Sequence, residues 1–215
     1  MQPSVLEHWA FHSPTVSQHI VVPDGCRDLI FQTFSDGQQD MRLTEIDNRA
    51  YGVTSAAGER YDGFRFRPEC VVDEAKLLHY LNTPQLTPDH PTLQSIIHDT
   101  VRVDTQLSEV LQSLRQADTL AQASLALGVS LRTLERLVKH KTGKSPLFWL
   151  RLLRMRRTAS LLSAPVHSSL TEIALDSGYC DQSHMNREFQ HWLGITPATF
   201  CINPHWQQAF REGYD

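Results

Sequence analysis

The sequence predicts an α+β chain: a small β-rich N-terminal region, then an all-α region in which two helix-turn-helix units are bridged by a long helix. Three observations carry this. Short β-prone runs broken by turn residues occupy the chain up to about Pro68. Between about Leu120 and Phe200 one unit is written twice: Gly128 and Gly178 stand 50 residues apart, whereas Gly143/Gly194 and Pro146/Pro197 stand 51 apart. Charge divides at the same place. Residues 1–118 hold 9 Lys/Arg against 17 Asp/Glu, and residues 119–215 hold 11 against 7, so the net −4 conceals an acidic front and a basic back. Only the basic part is expected to meet nucleic acid.

The first part contains the runs His19–Val22, Asp28–Phe31, Met41–Thr44 and Tyr61–Phe66. Pro23-Asp24-Gly25 and Ser35-Asp36-Gly37 separate some of them with residues suited to tight turns. Phe64 and Phe66 alternate with Arg65 and Arg67, which makes one face of that run apolar and the other cationic.

Residues 69–80 are expected to be helical, with Val71, Val72, Ala75, Leu78 and Leu81 as a mixed apolar face. Pro84, Pro88 and Pro91 then make 82–92 the best linker. A helix from about Leu93 to Thr100 follows. Another runs from Thr105 to Gln116, with Leu107, Val110, Leu111 and Leu114 on one stripe. The helices at 69–80 and 93–100 are candidates either for a homodimer interface or for packing on their own β region. The expected domains are therefore 1–81, a regulatory or sensor unit; the 82–92 linker; 93–201, the repeat-bearing domain; and a tail, 202–215.

In each copy of the repeat a short helix ends at a glycine, which tolerates the left-handed backbone of a tight turn. Ser130 or Asp181 then caps a second helix. Leu134, Leu137 and Val138 form the apolar stripe of the first such helix, opposite Arg132, Glu135, Arg136 and Lys139. Met185, Phe189 and Trp192 do so in the second, opposite Gln182, Ser183, Asn186, Arg187 and Gln190. Arg, Gln and Asn match base edges in the major groove, so both exposed stripes are candidates for readout of double-stranded DNA. Ser145-Pro146 opens the bridge helix, which runs to about Leu162 and buries Phe148, Leu152, Met155, Ala159 and Leu162. Arg151, Arg154, Arg156 and Arg157 lie on it with no acidic residue between Ser145 and Ser163. Arg151, Arg154 and Arg157 are expected to contact phosphates.

Gly-Val-Ser-x-Arg-Thr-Leu-x-Arg at 128–136, Gly-x-Ser-Pro at 143–146, Asp-Gln-Ser-His-x-x-Arg-x-Phe at 181–189 and Gly-Ile-Thr-Pro at 194–197 resemble the AraC/XylS family of bacterial transcription regulators. The resemblance covers roughly the last hundred residues. It implies a seven-helix DNA-binding domain whose base-contacting helices are 130–140 and 181–192, with Arg132, Glu135, Arg136, Gln182, Ser183 and Arg187 at contact positions. The chain departs from the family at Met185, where Phe is usual, at Ser124, where Ala is favoured, and at Cys201, where a basic residue is common. Val22–Phe31 and Gly63–Pro68 are similar to a short cupin-like N-terminal domain of some such regulators. A small-molecule effector is the partner this implies, with Asp24, Cys26, Arg27, Arg65 and Arg67 as candidate lining. The same five can equally be turn and edge-strand residues with solvated charges.

Four cysteines, at 26, 70, 180 and 201, lack Cys-x-x-Cys spacing, and the histidines lack ligand spacing, so no metal or other cofactor is expected. No run approaches the roughly 20 apolar residues of a membrane helix and no signal peptide opens the chain, which predicts a cytoplasmic protein. The function expected is sequence-specific regulation of transcription, with RNA polymerase as a further partner if the protein is an activator. The alternative, a DNA-targeted enzyme such as an alkyl-DNA repair protein, needs a nucleophilic cysteine beside a histidine. Cys26 and Cys70 have no adjacent histidine, so a non-enzymatic chain is expected.

Overall fold

The alternation at Phe64, Arg65 and Phe66 sorts the N-terminal residues into two faces. The computed structural model describes residues 4–81, 86–164 and 169–211. Its elements in chain order are β1 (Val5–His12), β2 (Ser17–Val21), β3 (Arg27–Thr33), β4 (Gln39–Leu43), β5 (Tyr51–Ser55), β6 (Arg60–Phe66), β7 (Cys70–Val72), α1 (Glu74–Leu81), α2 (Leu93–Thr100), β8 (Val101–Val103), α3 (Thr105–Gln116), α4 (Leu120–Ala126), α5 (Leu131–Thr142), α6 (Pro146–Ser163), α7 (Leu170–Asp176), α8 (Gln182–Leu193), α9 (Pro197–Ile202) and α10 (Pro204–Arg211). A β-rich N-terminal region is followed by a helical C-terminal one, and the chain is α+β. Two compact units result. One comprises the chain through Gln18 with 26–46 and 54–108; the other comprises 19–25, 47–53 and the chain from Glu109 onward.

In the first unit the sheet order is β1-β6-β3-β4, with antiparallel neighbours. Leu29 stands opposite Phe64 on one side and Leu43 on the other, and Phe31 stands opposite Met41. Opposed residues share a face, so these side chains form one apolar surface. Leu77 and Leu81 of α1 and Leu93 and Ile97 of α2 close over it. On the other face the Trp9 ring crosses Gly63 so closely that a Cβ there would overlap it. The indole N–H donates to Asp28 (2.9 Å), and Arg65 Nε donates to the same oxygen (3.1 Å).

Three parts of the chain depart from the sequence expectation. Residues 70–72 are strand rather than helix, because Val71 and Val72 pair antiparallel with Arg102 and Val101. β-branched residues fit a pleated ladder better than a helix. The helix begins only at Glu74, after Asp73 Oδ1 accepts the N–H of Lys76 (3.1 Å). Next, α2 does not open the helical region: Leu93 and Ile97 lie in the β unit's core together with Leu86, inside the expected linker. Residues 82–85 of that linker lie outside the described residues. Lastly, 204–211 of the expected tail is helical, anchored by Phe210, 2 % exposed and edge-on to Phe200; residues 212–215 lie outside the described residues.

The second unit is built around α6. The sequence expected one buried stripe, and Leu152, Met155, Ala159 and Leu162 are buried as expected, with Phe148 half-buried. Trp149, Leu150, Leu153, Arg156 and Thr158 are buried too, so neighbours cover most of the helix. A helix covered on most of its sides lies in the middle of its unit. Gly25, with φ +83°, lies under the Trp149 ring with no room for a Cβ. Arg156, 5 % exposed, donates to the Pro23 carbonyl (3.2 Å) and stacks its guanidinium 4.4 Å from the Phe210 ring centre. The Ala50 N–H donates to the Trp192 carbonyl at the end of α8 (2.6 Å).

Candidate nucleic-acid interface

The two copies are closed by the same backbone hydrogen bonds. After α4, the N–H groups of Gly128 and Val129 reach the carbonyls of Leu125 and Ser124 (both 3.1 Å). After α7, those of Gly178 and Tyr179 reach Leu175 (3.0 Å) and Ala174 (2.9 Å). Gly128 has φ +64° and Gly178 φ +80°, a region L side chains rarely enter. Capping repeats as well. Thr119 and Gln122 form a capping box on α4, and Ser169 and Glu172 form one on α7. Hydrogen bonds from Ser169 hold the Glu172 carboxyl below its ordinary value of 4.5.

Each second helix is capped at both ends. Ser130 accepts from Thr133 N on α5 and Asp181 accepts from His184 N on α8; Gly143 and Gly194 terminate them in left-handed conformation. Leu134 and Val138 are buried, as are Met185, Phe189 and Trp192, which fixes the rotation of both helices about their axes. Arg132, Glu135, Arg136 and Lys139 are consequently exposed on α5. Ser183 and Arg187 are exposed on α8, whereas Gln182 and Asn186 are half-buried. Gln182 Oε1 also accepts from Thr171 Oγ1 (2.9 Å), tying the start of α8 to α7. The last turn of α5 carries Lys139, His140 and Lys141, an arrangement favoured at a helix C-terminus.

The α6 arginines occupy a different setting from the exposed stripes. Arg151 makes a bidentate pair with Glu188, Arg154 donates to the Asp118 carbonyl, and Arg157 donates to the carbonyls of Arg115 (3.3 Å) and Ser177 (3.0 Å). The sequence offers no acidic partner along the same helix; these acceptors come from α8, from the last turn of α3, from the loop before α4 and from the C-cap of α7. A polar residue inside the apolar stripe of α8, at Glu188, was the available signal for one of them. With 18 residues at 1.5 Å each, α6 spans about 27 Å.

Of the five residues suggested for an effector pocket, Asp24 belongs to the helical unit and the other four to the β unit. Arg27 donates to the Thr44 carbonyl and pairs with Glu74 (both 2.7 Å), and Arg65 pairs with Asp28 (3.1 Å). Cys26 is buried and Arg67 half-buried.

Residues 123–201 match a family described as a helix-turn-helix domain. Over 109 residues the chain is 30% identical to the HTH-type transcriptional activator RhaS of Escherichia fergusonii. Together with the tandem turns and their shared hydrogen bonding, these matches decide the family. Residues 123–201 belong to that helix-turn-helix family. The RhaS match covers 48% of this chain and 38% of that relative, so the chain spans well under two thirds of its length. Among solved structures, a probable AraC family transcriptional regulator from Rhodopseudomonas palustris is 20% identical. It covers 49% of this chain and 98% of its own, with a TM-score of 0.40. An unsaturated fatty acid bound ToxT from Vibrio cholerae is 9% identical, covering 94% and 97%, with a TM-score of 0.48.

Proposed function

We propose that the chain is a sequence-specific DNA-binding regulator of transcription of the AraC/XylS type, working through its two repeated units. The observation that carries this is the pair of identically closed glycine turns, each aiming a capped helix with an exposed polar stripe away from the core. Arg132, Glu135, Arg136, Gln182, Ser183, Asn186 and Arg187 are assigned to base edges, with Lys139 at the phosphates. Glu135 can accept from a cytosine amino group or pair with its cationic neighbours. Arg151, Arg154 and Arg157 reach phosphates only with donors left over from their internal bonds. A span of about 27 Å for the bridge against about 34 Å per DNA turn implies bent DNA or incomplete insertion of one helix.

The direction proposed is activation, by analogy with the relative named an activator, with RNA polymerase as the protein partner. A small anionic effector is proposed for the β unit, where it would compete with Glu74 and Asp28 for Arg27 and Arg65. A homodimer is proposed through the outer faces of α1 and α2, where Leu78 is 47 % exposed. A repair-type enzyme is disfavoured by Cys70: burial pushes its thiol up to about 11, so thiolate is scarce at neutral pH.

The test is hydroxyl-radical footprinting of the full chain on fragments selected from genomic DNA, across a salt series. Protection of two successive major grooves on one face is expected, with affinity falling steeply as salt rises. Protection of a single groove would remove the two-helix reading, and no salt-dependent binding would remove DNA recognition altogether.

A further inference from the structure

We propose that Arg154, Arg157, Asp118 and Gly178 form a joint that holds the two helix-turn-helix units at one fixed separation, and so sets which spacing of DNA half-elements the chain accepts. The second clause rests on the DNA-binding reading; the first does not.

Three parts of the domain converge on this point. Asp118 lies in the loop that enters α4, and Ser177 and Gly178 form the turn that leaves α7. Arg154 and Arg157 project from α6, which joins the two copies. Arg157 reaches the Arg115 carbonyl near the end of α3 and the Ser177 carbonyl, the C-cap of α7. It therefore satisfies carbonyls that two helix ends leave without intrahelical partners, and places a cation at the negative end of both helix dipoles. Its Nη2 also lies 3.5 Å from the Asp118 carboxylate. Arg154 donates to the Asp118 carbonyl and sets its guanidinium 5.5 Å from the centre of the Tyr179 ring. Tyr179 is 3 % exposed and its N–H completes the second turn, so the ring that the guanidinium meets is packed beside that turn.

The joint is also sterically closed. A Cβ on Gly178 would overlap the Asp118 carboxylate, whereas the equivalent Gly128 faces open space. The repeat is therefore symmetric in its hydrogen bonds and asymmetric in its contacts. The glycine of the second turn is packed against the entry to the other unit. A guanidinium serves here because its planar fork meets several acceptors at once; a lysine ammonium offers a single point.

The first arm of the test needs no DNA. In the full chain with Cys70→Ser and Cys201→Ser, spin labels are placed on the exposed native Cys180 and on His140→Cys. One narrow distance distribution is expected, broadening or shifting with Arg157→Ala and, to a lesser degree, with Asp118→Ala. Should Arg157→Ala fail to fold, Arg157→Lys and the exposed Asp118→Ala carry the same comparison. An unchanged distribution in folded variants would overturn the joint. The second arm measures binding to a selected fragment and to the same fragment with one base pair inserted between its half-elements. The parent chain should lose on the order of tenfold on the insertion, and Arg157→Lys distinctly less. Equal discrimination by both would overturn the spacing role. If the parent chain binds no fragment, the regulator reading fails while the label distances still judge the joint.

Discussion

Arg151 and Glu188 form a bidentate ion pair across α6 and α8, with Nε 3.0 and 3.1 Å from the two carboxylate oxygens and Nη2 2.9 Å from Oε1. The pair is lopsided: the arginine side chain is 36 % exposed and the glutamate 11 %. Arg151→Ala would leave a carboxylate poorly hydrated beneath α8, with the Trp192 indole N–H (3.3 Å) as its remaining donor. A loss of about 2–4 kcal/mol is expected, below the full range for a wholly buried pair because water reaches part of the site. Adding Glu188→Gln should return part of that loss. Urea midpoints at constant slope check this, and a double variant no better than the single one would show that the charge was not the issue.

Base readout and phosphate anchoring should separate on the exposed stripes. Arg187→Ala is expected to relax preference at one base position, at about 1–3 kcal/mol for the best site. Lys139→Ala should weaken binding to every sequence alike and shallow the salt slope by about one. Competition binding on a set of single-base variants distinguishes them. Uniform loss from Arg187→Ala would remove α8 from readout.

Glu59 gives the β unit a pH dependence of definite sign. It is 8 % exposed, accepts from the Tyr61 hydroxyl (2.7 Å) and from the Ala56 N–H (2.8 Å), and those bonds hold its carboxyl below the ordinary 4.5. A depressed carboxyl stabilises the fold above the unfolded value, and that contribution is lost as pH falls through the folded one. Melting of the parent chain should therefore decline more steeply below about pH 5 than that of Glu59→Gln. Parallel declines would mean that the Tyr61 contact contributes nothing to acid sensitivity.

The helical half of the fold was legible because its signals are local. Glycine turns, caps and the stripes Leu134/Val138 and Met185/Phe189/Trp192 each act within a few residues, and the repeat states them twice. The β half was legible only where alternation was clean. Val5–His12 and Tyr51–Ser55 went unread, and Val71-Val72 read as helix because its strand partner, Val101–Val103, lies about thirty residues away. The internal bonds of the α6 arginines were hidden for the same reason. Arg151 finds Glu188 37 residues on, and Arg157 finds Asp118 39 residues back. Long-range pairing leaves no periodic trace in the sequence.

The two turn glycines offer a controlled measurement of what the joint contributes. Gly128→Ala places a Cβ in open space at φ +64°, so its cost is the left-handed backbone alone, about 1–2 kcal/mol. Gly178→Ala pays a similar backbone term at φ +80° and must also displace the Asp118 side chain. Overpacking typically adds about 1–3 kcal/mol, and the exposure of Asp118 places the expected addition near the lower end. Gly178→Ala should accordingly be the more destabilising of the two, by roughly 1 kcal/mol. In an Asp118→Ala background the steric term disappears, and the two glycine substitutions should then converge. Thermal or urea unfolding of the four single and double variants tests this directly. A Gly178→Ala penalty that stays larger than that of Gly128→Ala after Asp118→Ala would mean that backbone strain, not the Asp118 contact, distinguishes the second turn.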